Sequence, residues 1–344
     1  VTATIARREV VSTVAHDRHG RRRDVLRMIG RRVLFVIPVC AAVSVGLFAA
    51  AAVSPFDPLV AYLGDRYTTT SDADKQVITQ QLGFDESWYT TYWRWLQSIA
   101  TGDLGMSRSF GQPVADVLVE RVPWTLLLAG IGLALAASLA LLLGVLAGVF
   151  AGGLLDRGIT AVCIMIQGLP PFVLSLGAIS VFALGLGWLP VAGLSDGGAD
   201  PSFTGVAEHL VLPVAVLALS QVPWLLLAVR ESVSTSRGAD FVAGAVARGI
   251  PASTITRKHI LPASLAPFVN VLGVRLPELV VGAVLVEEVF SWPGIAGAIV
   301  VSARDLDMAL LAFLTVGTTL AVMVGSLMAD VGVVLVDPRA ATDG

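Results

Sequence analysis

Charge is scarce in this chain. Of 344 residues only 14% are Asp, Glu, Lys or Arg, against 55% hydrophobic, where a soluble domain carries about 25% charged residues. Mean hydropathy is +0.79. That balance excludes a soluble enzyme and requires a polytopic membrane protein. Lysine is nearly absent: Lys75 and Lys258 are the two present, and neither follows a glycine. The phosphate-cradling pattern G-x-x-x-x-G-K-[ST] therefore does not occur, and any nucleotide hydrolysis must take place on another chain. The two cysteines, Cys40 and Cys163, lie within apolar stretches, which excludes a disulfide framework or a thiol site. Four histidines, His16, His19, His209 and His259, form no cluster at metal-ligand spacing, so no metal is expected. The strict apolar/polar alternation of an outer-membrane barrel is also lacking. What is left is an all-α bundle of membrane-spanning helices.

Six stretches are long and apolar enough to cross a bilayer: approximately 33–53, 122–150, 159–187, 209–229, 264–287 and 308–329. A core of about 30 Å needs roughly 20 residues per helix. Basic residues near the spans set the orientation. The leading segment 1–32 carries Arg7, Arg8, Arg18, Arg21, Arg22, Arg23, Arg27, Arg31 and Arg32. With six spans, the 240–262 loop shares its side, and with the residues leading into it brings Arg230, Arg237, Arg248, Arg257 and Lys258; the cytoplasmic loop as a whole is taken as 231–262. On the other side Arg66, Lys75, Arg94, Arg108 and Arg121 are diluted by nine carboxylates between Asp57 and Glu120. Both termini, with the tail at 337–344, are thus expected in the cytoplasm. Met28-Ile29-Gly30-Arg31-Arg32 running straight into the apolar stretch resembles a natural start. Residues 1–27, polar and without hydrophobic periodicity, are expected to be disordered.

Segment 54–121 is expected outside the cell. Trp88, Tyr92 and Trp95 recur there at i, i+4 and i+7, one face of a short helix suited to the membrane interface or to the core of a small cap. In the second span Gly144, Gly148 and Gly152 form a small-residue ladder, a face for close helix packing. Pro170-Pro171 interrupts the third span and predicts a kink. No internal repeat supports an inverted-repeat carrier.

One nominal catalytic pattern occurs, Gly193-Leu194-Ser195-Asp196-Gly197. It sits in a Gly/Asp-rich loop with no strand before it, the wrong setting for a nucleophile elbow. Two ionisable residues fall inside the fifth span. Arg275 is 13 residues beyond Pro262, roughly 20 Å along a helix, and Glu278 follows on the same face. Charges at such depth turn inward. They form either a mutual or intersubunit ion pair, or part of a route for a charged solute.

The most informative stretch is the polar island at 240–262, DFVAGAVARGIPASTITRKHILP. Asp240 to Arg248 predicts a short helix with Phe241, Val242 and Val246 on one side. Gly249 is placed to end it as a left-handed cap glycine. Pro251 suits the first turn of a second helix, with Ser253 and Thr254 beside it. The element is a solvated amphipathic loop or a docking knob flanked by Arg248, Arg257 and Lys258.

This loop resembles the EAA signature of binding-protein-dependent ABC importer permeases, in which a Gly is followed thirteen residues later by a Pro. Gly249 and Pro262 keep that spacing, and Lys258-His259 is similar to the Arg-His pair of the peptide/opine/nickel branch. Ala243-Gly244-Ala245 stands where the name-giving Glu would be. The resemblance extends through Leu82-Gly83-Phe84-Asp85, Gly102-Asp103-Leu104-Gly105, Val286-Glu287, Val289-Phe290-Ser291-Trp292-Pro293-Gly294 and the ending Asp330 with Asp337-Pro338-Arg339.

The resemblance implies a six-span bundle like that of type I ABC importer permeases, in a bacterial inner membrane. Its partners would be a second permease subunit, two ATP-binding subunits that carry ATP and Mg, and an extracytoplasmic solute-binding protein. No cofactor of its own and no nucleic-acid partner are implied. Coupling to the ATPase would fall to Asp240, Phe241, Ala245, Arg248, Gly249, Ile250, Arg257, His259 and Pro262. Arg275, Glu278 and Glu287 would line the pathway. Small peptides are the leading cargo; nickel or metal chelates, opines and haem belong to the same branch. From other classes, an ATP-independent channel or carrier and an intramembrane enzyme built on Ser195 are the competing readings.

Overall fold

A stripe of small residues organises the bundle. The computed structural model describes residues 29–195, 197 and 200–336. The expectations for the basic tail, for Met28 and for Asp337-Pro338-Arg339 fall outside them. Helix α1 spans Ile29–Ala52. Three short helices follow: α2 (Pro58–Leu63), α3 (Asp72–Leu82) and α4 (Trp88–Ala100). A two-stranded hairpin, β1 (Met106–Ser107) with β2 (Gln112–Pro113), leads into the long α5 (Val114–Val149). Then come α6 (Leu154–Gln167), α7 (Pro171–Ala178) with π-helical turns over Ile179–Gly185, and α8 (Phe203–Arg237). The loop helices α9 (Asp240–Ala247) and α10 (Ala252–Ile255) precede α11 (Leu261–Val289), α12 (Ile295–Arg304) and α13 (Met308–Val336).

On α5, Gly132, Ala136, Ala140, Gly144 and Gly148 recur every four residues and all are buried. With no hydrophobic drive between helices in lipid, close backbone approach supplies the association. A β-carbon at Gly144 would stand 2.8 Å from the Leu226 carbonyl oxygen, and one at Gly148 would stand 2.6 Å from Val233 Cβ on α8. Gly152, expected in the same ladder, lies past the end of α5 with φ +84° and open space around it. It serves the turn, not the packing, because the helix ends at Val149.

Helix α8 is the axis of the bundle. In its most apolar window 61% of residues are buried, against 11–24% for the other long candidate spans. It touches α5, α6, α7 and α11. The outer helices present Leu34, Ile37, Leu142, Met165, Leu184 and Met328 outward, as lipid contact requires.

Five described helices are long and apolar enough to cross a membrane, six if α6 and α7 make one bent span. The kink expected at Pro170-Pro171 is a 104° break. Two successive prolines each disfavour helical backbone in the residue before them, so α6 stops at Gln167 and α7 restarts at Pro171. The second apolar stretch, read from 122, belongs to a helix that begins at Val114, with Val114 and Val117 fully buried. In segment 54–121, Tyr92 and Trp95 pack on Phe48 of α1 at centroid distances of 5.3 and 5.6 Å, and Trp95 meets Phe313 of α13 at 5.6 Å. Trp88, expected on that face, is partly exposed and meets Tyr89.

The seam makes a direct forecast. Gly148→Leu is expected to lower unfolding stability in detergent by about 1–3 kcal/mol or more, as core overpacking does. Gly130→Leu on the open face of the same helix, where nothing lies within 4 Å of a new β-carbon, is expected to leave the thermal midpoint nearly unchanged.

Candidate functional site

The 240–262 loop folds on the end of the bundle as two helical pieces joined by a glycine turn. After α9 the chain reverses through Gly249, whose φ is +71°. The Gly249 N–H donates to the Val246 carbonyl at 2.9 Å and the Ile250 N–H to the Ala245 carbonyl at 3.2 Å. These are the paired bonds of a Schellman cap, which needs the left-handed conformation glycine adopts freely. Ala245 is buried, and Ile250 and Val242 pack into the cluster that contains Val229, Val233, Ile255 and Ile260.

Val242 therefore faces the bundle, away from the exposed Phe241 and Val246 with which it was grouped. Its 100° offset from Phe241 is enough to change sides. Phe241 has its ring 6.5 Å from that of His259. Arg248, Arg257 and Lys258 are exposed with them.

Pro251 is the cap before α10, one position outside its expected first turn. The Leu-Pro at 261–262 does not close the loop: the chain is helical without interruption from Ala252 into α11. Pro262 has no N–H for the carbonyl four residues back and crowds it. The π-helical turns over Thr256–Ile260 accommodate that defect.

Deeper along α11, Arg275 and Glu278 pair with each other. The Arg275 guanidinium lies 3.7 Å from the centroid of the Trp224 ring on α8, a cation–π stack that holds its charge against the neighbouring helix. Glu278 also borders a cavity of about 460 Å³ at the α6–α7 break, together with Gln167, Pro170, Gln221 and Trp224.

Glu287 is placed otherwise. It is fully buried and does not border the cavity at the α6–α7 break. Its Oε2 accepts the Ala296 N–H at 3.0 Å, while Thr125 Oγ1 accepts the Ile295 N–H at 2.9 Å. Both serve the first turn of α12, whose cap residue Gly294 has no side chain to do so. A β-carbon at Gly294 would meet the Glu287 carboxyl at 2.3 Å, so the position requires glycine. Trp292 closes the turn, buried against Trp124 and donating its Nε1–H to the Trp124 carbonyl at 3.1 Å.

Two anchoring carboxylates escaped the sequence reading. Asp156, in the first turn of α6, accepts both arms of Arg230 at 2.8 Å each and the Gly152 N–H at 2.8 Å. Asp307 accepts the Ser107 hydroxyl at 2.6 Å and the Ser109 N–H at 3.1 Å, tying the hairpin to the start of α13. A lone acid at the entry to an apolar run was the available signal for each. Ser195 lies in the turn-rich loop before α8 and follows no described strand.

Residues 140–342 match the family of binding-protein-dependent transport system inner membrane components. The chain belongs to that family. Its relatives include the oligopeptide transport system permease protein AppB of Bacillus subtilis, 30% identical over 310 residues, 90% of this chain and 97% of that protein. The probable D,D-dipeptide transport system permease protein DdpB of Escherichia coli is 32% identical over 336 residues, 92% and 98% of the two chains. A putative peptide permease of Brucella suis is 28% identical over 92% of this chain and 99% of its own. Among solved structures, a chain of the MetNI methionine ABC transporter in inward-facing conformations aligns with a TM-score of 0.49 at 19% identity, covering 64% of this chain and 96% of that one. The protein is thus a multi-pass permease component of a transport system.

In the permease, the Asp156–Arg230 clamp fixes the start of α6 to the loop-side end of α8. Removing one partner of such a pair costs about 3 kcal/mol when fully buried, and less here because Arg230 reaches solvent at its edge. Asp156→Ala is expected to lower the thermal midpoint of the purified permease by several degrees. Adding Arg230→Met to it should recover part of the loss.

Proposed function

We propose that this permease is a membrane subunit of an ATP-driven importer of small peptides. It would work with a second permease subunit, two ATP-binding subunits and an extracytoplasmic solute-binding protein. Peptide cargo is supported by full-length relatives named for oligopeptide and dipeptide transport. Both termini and the 240–262 loop would face the cytoplasm, and ATP and Mg would be held by the partners.

The observation that carries the reading is the two-sided build of α9. Ala245, Val242 and Ile250 bind it to the bundle, while Phe241, Arg248 and His259 are left outside. An apolar ring framed by cations is a surface for an acidic, partly apolar cleft on another chain. Force on α9 has two routes inward. One runs back through Gly238 into α8, the other through the unbroken helix into α11. Those two helices carry Trp224 and Arg275, so shifting one against the other would reshape the cavity between them. The free energy would come from the partner's different grip on two states, with no chemistry in this chain.

Phe241→Asp tests this on an exposed residue whose loss does not disturb the core. Losing an aromatic anchor costs about 2 kcal/mol or more, so peptide uptake by the reconstituted complex is expected to fall at least about tenfold. Membrane insertion should be unaffected. Undiminished ATP-driven uptake by this variant would remove the coupling role of α9.

A further inference from the structure

We infer that the cavity at the α6–α7 break is a receptor for a primary ammonium group of the cargo, held between Gln221 and Glu278. The inference rests on the peptide-import reading and names the part of the cargo this site takes.

Gln221 is the first observation. It is only 5% exposed, and its Nε2 donates to Ser220 Oγ at 3.2 Å. Its Oε1 is buried, with no hydrogen-bond partner among the described residues. An unmade bond at a buried acceptor is costly, and this acceptor belongs to a residue that borders the cavity. The oxygen is closed off from the space as it stands; a turn of the amide about its last bond would bring it to a donor in the cavity and recover that cost.

The lining is the second. Glu278 contributes a carboxylate, and among the described residues no Lys, Arg or His borders the space. Arg275, the ion-pair partner of Glu278, is stacked on Trp224 and does not border the space. Residues 166–169, the carbonyl end of α6, form one wall; that end of a helix favours positive charge. The opposing start of α7 would offer N–H groups, but Pro170 and Pro171 have none. The backbone at the break is therefore rich in acceptors and poor in donors, while the side chains of Gln167, Ser220, Gln221 and Trp224 carry donors as well. Ile166, Leu169, Val281 and Leu285 supply apolar flanks.

A ligand matching this set carries several N–H donors, one positive charge and a short apolar neighbour. A protonated amine next to a small side chain meets all three conditions. The volume of about 460 Å³ falls in the range of small-molecule sites. Two parts of a peptide carry this chemistry, the amino terminus and a lysine side chain.

The test uses the complete complex in lipid nanodiscs, with Cys40→Ala and Cys163→Ala in the background and Val281→Cys as a reporter on the cavity wall. The rate of maleimide labelling at position 281 is measured with trialanine, N-acetyl-trialanine or N-acetyl-alanyl-lysyl-alanine present. Trialanine is expected to slow labelling several-fold, and N-acetyl-trialanine to leave it unchanged. Protection by the lysyl peptide would make a side-chain ammonium an equal ligand; its absence would confine the site to amino termini. Gln221→Leu and Glu278→Gln should each raise the trialanine concentration needed by about tenfold, the loss of one charge-assisted bond. Gln221→Leu should unfold no earlier than the parent, since it removes an unpaired polar atom. Equal protection by trialanine and its acetylated form, no protection by either, or full protection in both variants would overturn the inference. Trialanine uptake by the parent complex is measured separately, so failure of the import reading shows there and not in the labelling.

Discussion

The closeness of α5 to α8 is the constraint on which the rest depends. Five small residues at four-residue spacing bring the two backbones together, with carbonyls of α8 within 2.8 Å of where β-carbons would stand at Gly144 and Gly148. In lipid this contact does what a hydrophobic core does in water. Because α8 is thereby buried along most of its length, every other element is positioned relative to it. Its loop-side end carries Arg230, which holds the start of α6 through Asp156. Its middle carries Gln221 and Trp224, which face the α6–α7 break. A seam that cannot widen gives the neighbouring helices a fixed reference against which to move.

Much of this was legible in the sequence, and what was not has identifiable causes. Apolar stretches marked all six regions because hydropathy averages over about 20 residues and tolerates error at each end. That same averaging hid the true start of α5, where Val114 and Val117 are interleaved with Asp116 and Glu120. Gly249 could be read as a helix end because a left-handed cap has few other solutions. Gly152 could not be told from Gly144 and Gly148, since spacing alone does not reveal where the helix stops. Tandem prolines announced a defect, but whether a proline bends or ends a helix depends on what receives the freed backbone groups. The pairing of Arg275 with Glu278 was one of the readings that their three-residue separation allowed. The stacking on Trp224 is a contact between helices, and no local pattern carries it.

In the proposed importer, the loop and the cavity lie on the same two helices, which makes a short mechanical path. The π-helical turns over Thr256–Ile260 matter here. They let Pro262 sit inside a continuous helix, so no flexible joint separates α10 from α11. A hinge at that point would absorb displacement of α9 before it reached Arg275. On the α8 side a glycine, Gly238, does intervene, and the packing of Val233 with Ala245 and Ile255 bridges it. On the α11 side Gly249 intervenes between α9 and α10, and the packing of Val242 and Ile250 into the same cluster bridges it, so transmission on both sides runs through side-chain contact.

The acids distinguish structure from site. Among the described residues, the buried carboxylates are Asp156, Glu287 and Asp307. Each meets backbone N–H groups at the first turn of a helix: Asp156 at α6, Glu287 at α12 and Asp307 at α13. A negative charge there is stabilised by unpaired amides and the positive helix end, which accounts for Asp156 and Asp307; Glu287 is held through Oε2, and its Oε1 has no hydrogen-bond partner among the described residues. Glu278 is different in kind. It lies in the middle of α11, serves no helix start and opens onto a cavity beside an unsatisfied amide oxygen. Its ion pair with Arg275 neutralises its charge without filling the space in front of it. A carboxylate kept at that depth for structure alone would be expected to sit enclosed, as the other three do.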